Sequence, residues 1–504
     1  MLWIALALPD LALQVSHRGL IPDLPLAISN GAIEIMQRPL VIAANRPAQD
    51  AGVRPGMAVA AAQAVVENLI VQPRDAQREL AALHALATWA TQFTPTVVLD
   101  TNAVLLEVQP SLRLFGGLAA LGNRLEQGAK RLGFTVSLSG APTPLAALLF
   151  ARARIVDPAV RGCLTATRLP DKLASLPLTL LDWPADTLDT LARLGIDTLG
   201  ACRALPRDGL LRRFGPQPLH DLDRADDSMP DPRIAFVPPP RFFSRIELAA
   251  ELDNLAWLAL PVRQLLTELE GYLRARQQGA QQLLLTFEQG RQLQFTVQIS
   301  TGAPCCFADE FATLVQEQMA RTVLNAPVQS VTLEVERTML YLPQNAALLA
   351  DGASQTLAWT QLCDRLLARL PADHLHRIAA ADDHRPEKAW RRETSLHIAS
   401  RKTSACKSLA ARAALADVKA SCLEGPMRPA WLVPSPRPLA LLASRPVFDG
   451  PLTMLTEPER IEAGWWDEYP VSRDYYIASN PVGQLCWVFH DHATKSWYLH
   501  GFFG

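Results

Sequence analysis

The chain has 504 residues, of which 49% are hydrophobic and 19% charged, with a formal net charge of −2. That length suits about three or four domains with ordinary cores. The near-neutral charge excludes a protein that grips nucleic acid by a broadly basic surface, so any such contact is local.

Residues 3–8, WIALAL, form an unbroken apolar run, as in a strand buried on both faces. Residues 40–43, LVIA, read as a second strand. The stretch from Gln49 to Asp75 then runs turn, helix, strand, with Gly52 and Pro55-Gly56 as punctuation. A helix follows over 76–92. Residues 96–108, TVVLDTNAVLLEV, read as a hairpin turning at Asp100-Thr101-Asn102. Next come a helix ending at Gly133, the strand FTVSLSG and a helix beginning after Pro142. Together these make a mixed α/β region, 1–168. Residues 169–230 are helical, with two short helices pivoting on Leu194-Gly195-Ile196 as in a helix–hairpin–helix.

After the linker MPDPRIAFVPPPR, region 236–342 reads strand (242–248), helix (253–277), strand (281–288), strand (292–300), helix (307–324), strand (328–340). That order is βαββαβ. Region 343–430 is mixed, with a helix at 356–370. Its part 385–428 holds ten Lys/Arg against four Asp/Glu and reads as a flexible basic segment. Region 431–504 is rich in Trp and Tyr and reads as short strands.

The eight cysteines include no C-x-x-C pair, so neither a zinc spacing nor a disulfide framework is readable. The opening MLWIALALP lacks a basic n-region, which argues against a signal peptide. No run reaches the ~18 apolar residues that a membrane span needs. A cytoplasmic protein without membrane attachment is expected. Neither G-x-x-x-x-G-K-[ST] nor G-x-G-x-x-G occurs, and no cofactor is expected. His490 and His492 flank Asp491 in FHDHATKSW, and DHLH stands at 373–376, but a metal needs three or four convergent ligands. Both read as turns. The acids at 226–227 and 382–383 read as solvated loops.

This order resembles the Y-family of translesion DNA polymerases over roughly residues 1–340. LVIAANRPAQDAGVRPGMAVAAAQAVVENLIVQP is similar to the fingers (about 20–75), and LARLGIDTLGACRALPRDGLLRRFG to the thumb. LRLFGG and the C-terminal PERIEAGWWDEYPVSRDYYIAS…LCWVFHDHATKSWYLHGFFG resemble the catalytically inactive, polymerase-like members of bacterial mutagenesis cassettes. The resemblance implies an α+β multidomain fold. It would comprise palm and fingers, a helical thumb with a helix–hairpin–helix, a βαββαβ little finger, and a C-terminal extension with a small β-rich end.

Nucleotidyl transfer in that family uses two divalent ions, which demand carboxylate oxygens. The family places one Asp in the first palm strand and an Asp-Glu pair in the palm hairpin. Here those positions fall near Ala5 and Ala7, and at Asn102-Ala103 when the strand LLEV sets the register. Setting it by Asp100 gives Asp100-Thr101, which does not restore the pair. No catalytic or metal-binding residue is therefore expected. Asp100 reads as a turn residue, Glu107 as a strand end, and Asp10 lies ~10 Å beyond the ligand position at the rise of a strand. The family's triphosphate-binding Tyr and Arg fall at Arg46 and Gln49, and its palm Lys near Thr143.

Arg207, Arg212 and Arg213 surround the second thumb helix and are candidates for backbone-phosphate contact. The family's first hairpin glycines are replaced by LDWPADT. Gln344, Leu348 and Leu349 fit the outline of a sliding-clamp peptide, with an ordinary loop as the alternative. Trp465, Trp466, Tyr475, Tyr476, Trp487 and Trp497 are candidate partner-binding aromatics, with a small core as the alternative. The resemblance implies a non-catalytic adaptor in damage-induced mutagenesis. Its partners would be an error-prone DnaE-type polymerase, an ImuA-like RecA-related protein, the sliding clamp and a primer–template. The alternatives are an active Y-family polymerase using Asp10, Asp100 and Glu107 in a rearranged site, and a DNA-binding structural protein acting alone.

Overall fold

The structure, a computed structural model, describes residues 1–17, 24–30, 38–290, 293–324, 326–341, 352–370, 374–393 and 427–503. They divide into two compact units, Met1–Arg369 and Leu370–Gly504.

The first unit begins with the palm. Trp3–Ala7 is buried at every position, and it is an inner strand of a four-stranded sheet. It pairs antiparallel with Ala103–Glu107 on one side and Ser137–Ala141 on the other, and Val97–Asp100 forms the edge beyond Ala103–Glu107. Strand alternation divides its side chains. Ile4 and Leu6 pack with helices Ala76–Ala90 and Leu118–Arg131. Trp3, Ala5 and Ala7 pack with helix Pro144–Val156 and with side chains of residues 169–225. Both faces are therefore covered, which explains the unbroken apolar run.

The fingers carry a strand that the sequence pattern missed. Leu26–Ser29 lies between Val41–Ala44, antiparallel, and Ile70–Pro73, parallel. Its four residues are too few for a periodic signal. The thumb contains short helices including Ala185–Arg193, Leu199–Arg203, Arg207–Phe214 and Gln217–Ala225. Gly195 turns at φ +74°, a conformation that favours glycine.

The little finger is a sheet ordered Leu293–Cys305, Gln278–Gln289, Val328–Val335, Phe242–Leu252, with Thr338–Leu340 joined to Gln278–Gln289. Helices Leu255–Ala275 and Ala308–Met319 contribute to its core. The chain entering it is fastened at both ends. The Phe236 N–H donates to the Val97 carbonyl on the palm edge strand (2.7 Å). The Tyr272 hydroxyl and the Arg276 guanidinium donate to carbonyls of Pro238–Pro240. The helix expected at 356–370 spans Gly352–Arg369 and docks on the little finger, where the Asp364 carboxylate accepts from the Gly302 N–H at 2.9 Å.

The second unit contains a seven-stranded antiparallel sheet. Its path runs Arg445–Val447, Trp431–Leu442, Ser496–Phe502, Leu485–Asp491, Val471–Ser479, Thr453–Met454, and Glu459–Ala463 pairs with Val471–Ser479. Part of the segment read as flexible and basic is ordered. Arg377–Ala380 and Trp390–Glu393 form a hairpin, and Arg385 between them is only 2% exposed. Ion pairing to acids distant in sequence, invisible to composition, orders it. Residues 394–426 lie outside the described residues. Among the described residues, no helix is long and apolar enough to cross a membrane.

Candidate functional site

The sheet register brings together the positions that the resemblance matches to a polymerase's metal ligands. Ala7 lies opposite Ala103, and Ala103 lies opposite Asp100, so the three form one row across three strands. Ala5, Ala7 and Ala103 are buried in one apolar cluster with Val98 and Leu105. Asn102 stands at the turn, its carbonyl accepting from the Leu8 N–H at 2.8 Å. In the row only Asp100 carries a carboxylate. Two strand spacings put it ~10 Å from Ala7.

Asp100 is occupied. Arg233 donates from Nη1 to Oδ2 at 2.9 Å, and Arg152 stands 3.9 Å from Oδ1. Arg233 also forks onto Asp231, and Arg152 onto Asp182 and the Leu180 carbonyl. The Asp100 carboxylate also accepts from the Thr101 N–H at 2.9 Å, the turn contact expected of it. Two guanidinium groups at this carboxylate repel a divalent cation by the same Coulomb term that would attract it to a free acid.

The other acids do not join it. Glu107 lies opposite Trp3, four residues along the strand from Ala7's partner, ~13 Å away at strand rise. Its Oε1 accepts from the Gln109 N–H. Asp10 is exposed in the turn after the first strand. Asp10, Asp100 and Glu107 are thus not brought together. Among the described residues, no group of three His, Cys, Asp or Glu side chains is placed to hold a metal.

The positions expected to match the family's substrate grip make other contacts. Arg46 is fully in solvent beside Asp50, at 3.8 Å. Gln49 donates from Nε2 to the Ala44 carbonyl at 2.6 Å. Thr143 is buried and caps helix Pro144–Val156, accepting from the Ala146 N–H (3.2 Å) and donating to the Ala225 carbonyl (2.9 Å).

On the thumb, Arg207, Arg212 and Arg213 are all exposed. Arg207 is bound bidentately by Asp223 at 2.9 and 2.6 Å, which holds the Asp223 carboxyl below its usual range. Asp226, read as solvated, is buried and paired with Arg203. Gln344, Leu348 and Leu349 lie outside the described residues.

The C-terminal aromatics separate into two groups. Tyr475 and Trp487 are 1% exposed and stack at 4.2 Å between ring centroids. Tyr476 and Trp497 pack against the other core cluster of the sheet. Tyr475 and Trp487 are therefore core, because strand alternation turns them inward. Trp465 and Trp466 are 82% and 54% exposed. Tyr469, which the aromatic pattern did not single out, is 68% exposed beside them. The paired histidines are also structural. His492 contacts Asp474 at 2.7 Å, and His490 packs on Trp497.

Comparison with known proteins finds relatives of several kinds. The model of the impB/mucB/samB family (IMS) matches residues 12–152. DNA polymerase IV of Pseudomonas entomophila (strain L48) is 32% identical over 184 residues, 36% of this chain and 51% of that protein. The crystal structure of DinB from Sulfolobus solfataricus is 15% identical with a TM-score of 0.37, covering 68% of this chain and 100% of that one. The chain is thus similar to Y-family polymerases in its N-terminal part, and it carries a C-terminal β-rich extension. Protein ImuB of Caulobacter vibrioides (strain NA1000 / CB15N) is 26% identical over 495 residues, 90% of this chain and 100% of that protein. Along nearly its whole length, then, the chain is similar to that protein.

Proposed function

We propose that this chain is a non-catalytic adaptor of translesion synthesis and damage-induced mutagenesis. The observation that carries the reading is the row Ala7–Ala103–Asp100, in which two positions are apolar and the third is paired with Arg233. The adaptor brings an error-prone DnaE-type polymerase to a damaged primer–template, with an ImuA-like, RecA-related partner and the sliding clamp. Its mechanism is effective concentration. Tethering converts a bimolecular search into an intramolecular one, at roughly millimolar local concentration for a short flexible link. DNA contact through Arg212 and Arg213 is supplementary, and Gln344, Leu348 and Leu349 supply the clamp contact.

Primer extension with purified chain in magnesium or manganese tests the catalytic half, with no incorporation expected. Incorporation abolished by Asp100→Ala would overturn it. Pulldown with the full chain and with a chain ending at Arg369 tests the recruiting half. Loss of the polymerase or the RecA-like partner on truncation is expected, because the second unit carries the exposed Trp465 and Trp466. Undiminished capture of both would move the recruiting surface to Met1–Arg369.

A further inference from the structure

The loop Gly464–Pro470 presents Trp465, Trp466 and Tyr469 to solvent, and it is not loosely held. Beneath it lies Arg385, a buried cation with its donors fully engaged. Its Nη1 and Nη2 fork onto Asp467 at 2.9 and 2.6 Å, Nη1 also meets the Tyr469 carbonyl at 3.0 Å, and Nε and Nη2 bind Asp383. Lys388 adds a contact to Asp467 at 3.3 Å and lies over the Tyr469 ring. Gly464 adopts φ +81°, and a Cβ there would stand 2.5 Å from Arg385 and 2.6 Å from the Tyr469 carbonyl. The loop is therefore built around the arginine.

A buried arginine costs several kcal/mol of desolvation unless its partners compensate. Here the compensating contacts hold a loop that leaves two tryptophans in water. Trp465 and Trp466 meet edge to face, with ring centroids 5.4 Å apart. Rigid exposed aromatics bind at low entropic cost, and Trp and Tyr dominate interface energy when a partner's pocket receives them. Glu462 and Glu468, three residues before Trp465 and two after Trp466 in the chain, are exposed and make no ion pair among the described residues, whereas the basic Arg385, Lys388 and Arg460 are paired to Asp467, Asp383 or Asp474. Unpaired acids repel phosphates, which disfavours single-stranded nucleic acid stacked on the rings.

We infer that Gly464–Pro470 is a preformed anchor that inserts Trp465 and Trp466 into an apolar pocket, rimmed by basic side chains, on a partner protein. The inference rests on the adaptor reading and locates its recruiting surface.

The test uses the purified full chain, titrated against the DnaE-type polymerase and the RecA-like protein of the same genome. A poly-dT oligonucleotide and self-association are run as separate arms. Trp465→Ala is expected to weaken one protein partner about tenfold or more, with the melting temperature unchanged because the Trp465 side chain is 82% exposed. Glu462→Lys/Glu468→Lys is expected to slow association and remove most of its salt dependence. Unchanged binding by both variants while the wild-type chain binds would overturn the anchor alone. Loss confined to the oligonucleotide arm or to self-association would also overturn it. A wild-type chain that binds neither protein would overturn the adaptor reading, and the anchor with it.

Discussion

The Arg233 guanidinium donates to Asp100 at 2.9 Å, joining residues 133 positions apart in the chain. It ties the entry to the little finger to the one acid in the palm row. The Asp100 side chain is only 14% exposed. Removing its charge leaves Arg233 with Asp231 alone and Arg152 with Asp182. Asp100→Asn is therefore expected to lower the stability of the first unit by about 1–3 kcal/mol, read by chemical denaturation. No loss of stability would mean that the pair is not maintained in solution.

Restoring acids should not restore a polymerase. Ala7 and Ala103 are 2% and 0% exposed among apolar side chains. Ala7→Asp with Ala103→Glu is expected to destabilise the first unit by several kcal/mol, since each carboxylate is buried without a designed partner. Thermal melting with and without manganese checks this. A variant as stable as the parent, or one stabilised by manganese, would show that the palm face still opens.

DNA affinity should be weak and sequence-independent. Arg207 is partly neutralised by Asp223, whereas Arg212 and Arg213 make no ion pair among the described residues. Replacing Arg212 and Arg213 by Ala is expected to reduce the log–log salt slope by up to about 2. Replacing Arg207 alone should change it less. Fluorescence anisotropy across a salt series distinguishes the two, and an equal effect at all three positions would contradict the pairing.

The second unit should lose stability in mild acid. His500 is fully buried, its Nδ1 2.8 Å from the Tyr475 hydroxyl, and burial pushes its pKa down to about 4. The unfolded chain takes up this proton near pH 6.5 and the folded chain only near 4, so stability is lost as pH falls through that window. The Asp474 carboxyl, held down to about 2 chiefly by Arg460 and also by His492, acts at lower pH. Its stabilisation is present above the usual carboxylate pKa and is lost as pH falls toward about 2. His500→Gln is expected to flatten the decline in melting temperature between pH 6.5 and 4. An unchanged decline would assign it to other groups.

Much of the fold was legible because its signals are local. The run WIALAL, the hairpin around Asp100-Thr101-Asn102, the turn at Gly195 and the βαββαβ alternation each follow from a periodicity or a turn residue within a few positions. The absence of acids at Ala5, Ala7, Asn102 and Ala103 was equally plain, since it needs only the register of one strand. Leu26–Ser29 escaped because it is short, and its partners lie on both sides of it in sequence.

By itself, then, the sequence determined the order of strands and helices and left Ala5, Ala7, Asn102 and Ala103 without carboxylates, for side-chain identity and spacing are properties of the chain. Tertiary structure alone decided what each remaining polar or aromatic group does. Asp100 pairs with Arg233, Arg385 with Asp467, and Tyr475 turns inward while Trp465 stays in solvent. The reason is range. A guanidinium 82 residues from its carboxylate, as Arg385 is from Asp467, leaves no periodic trace in the sequence, and its charge is satisfied only when the fold brings the two together.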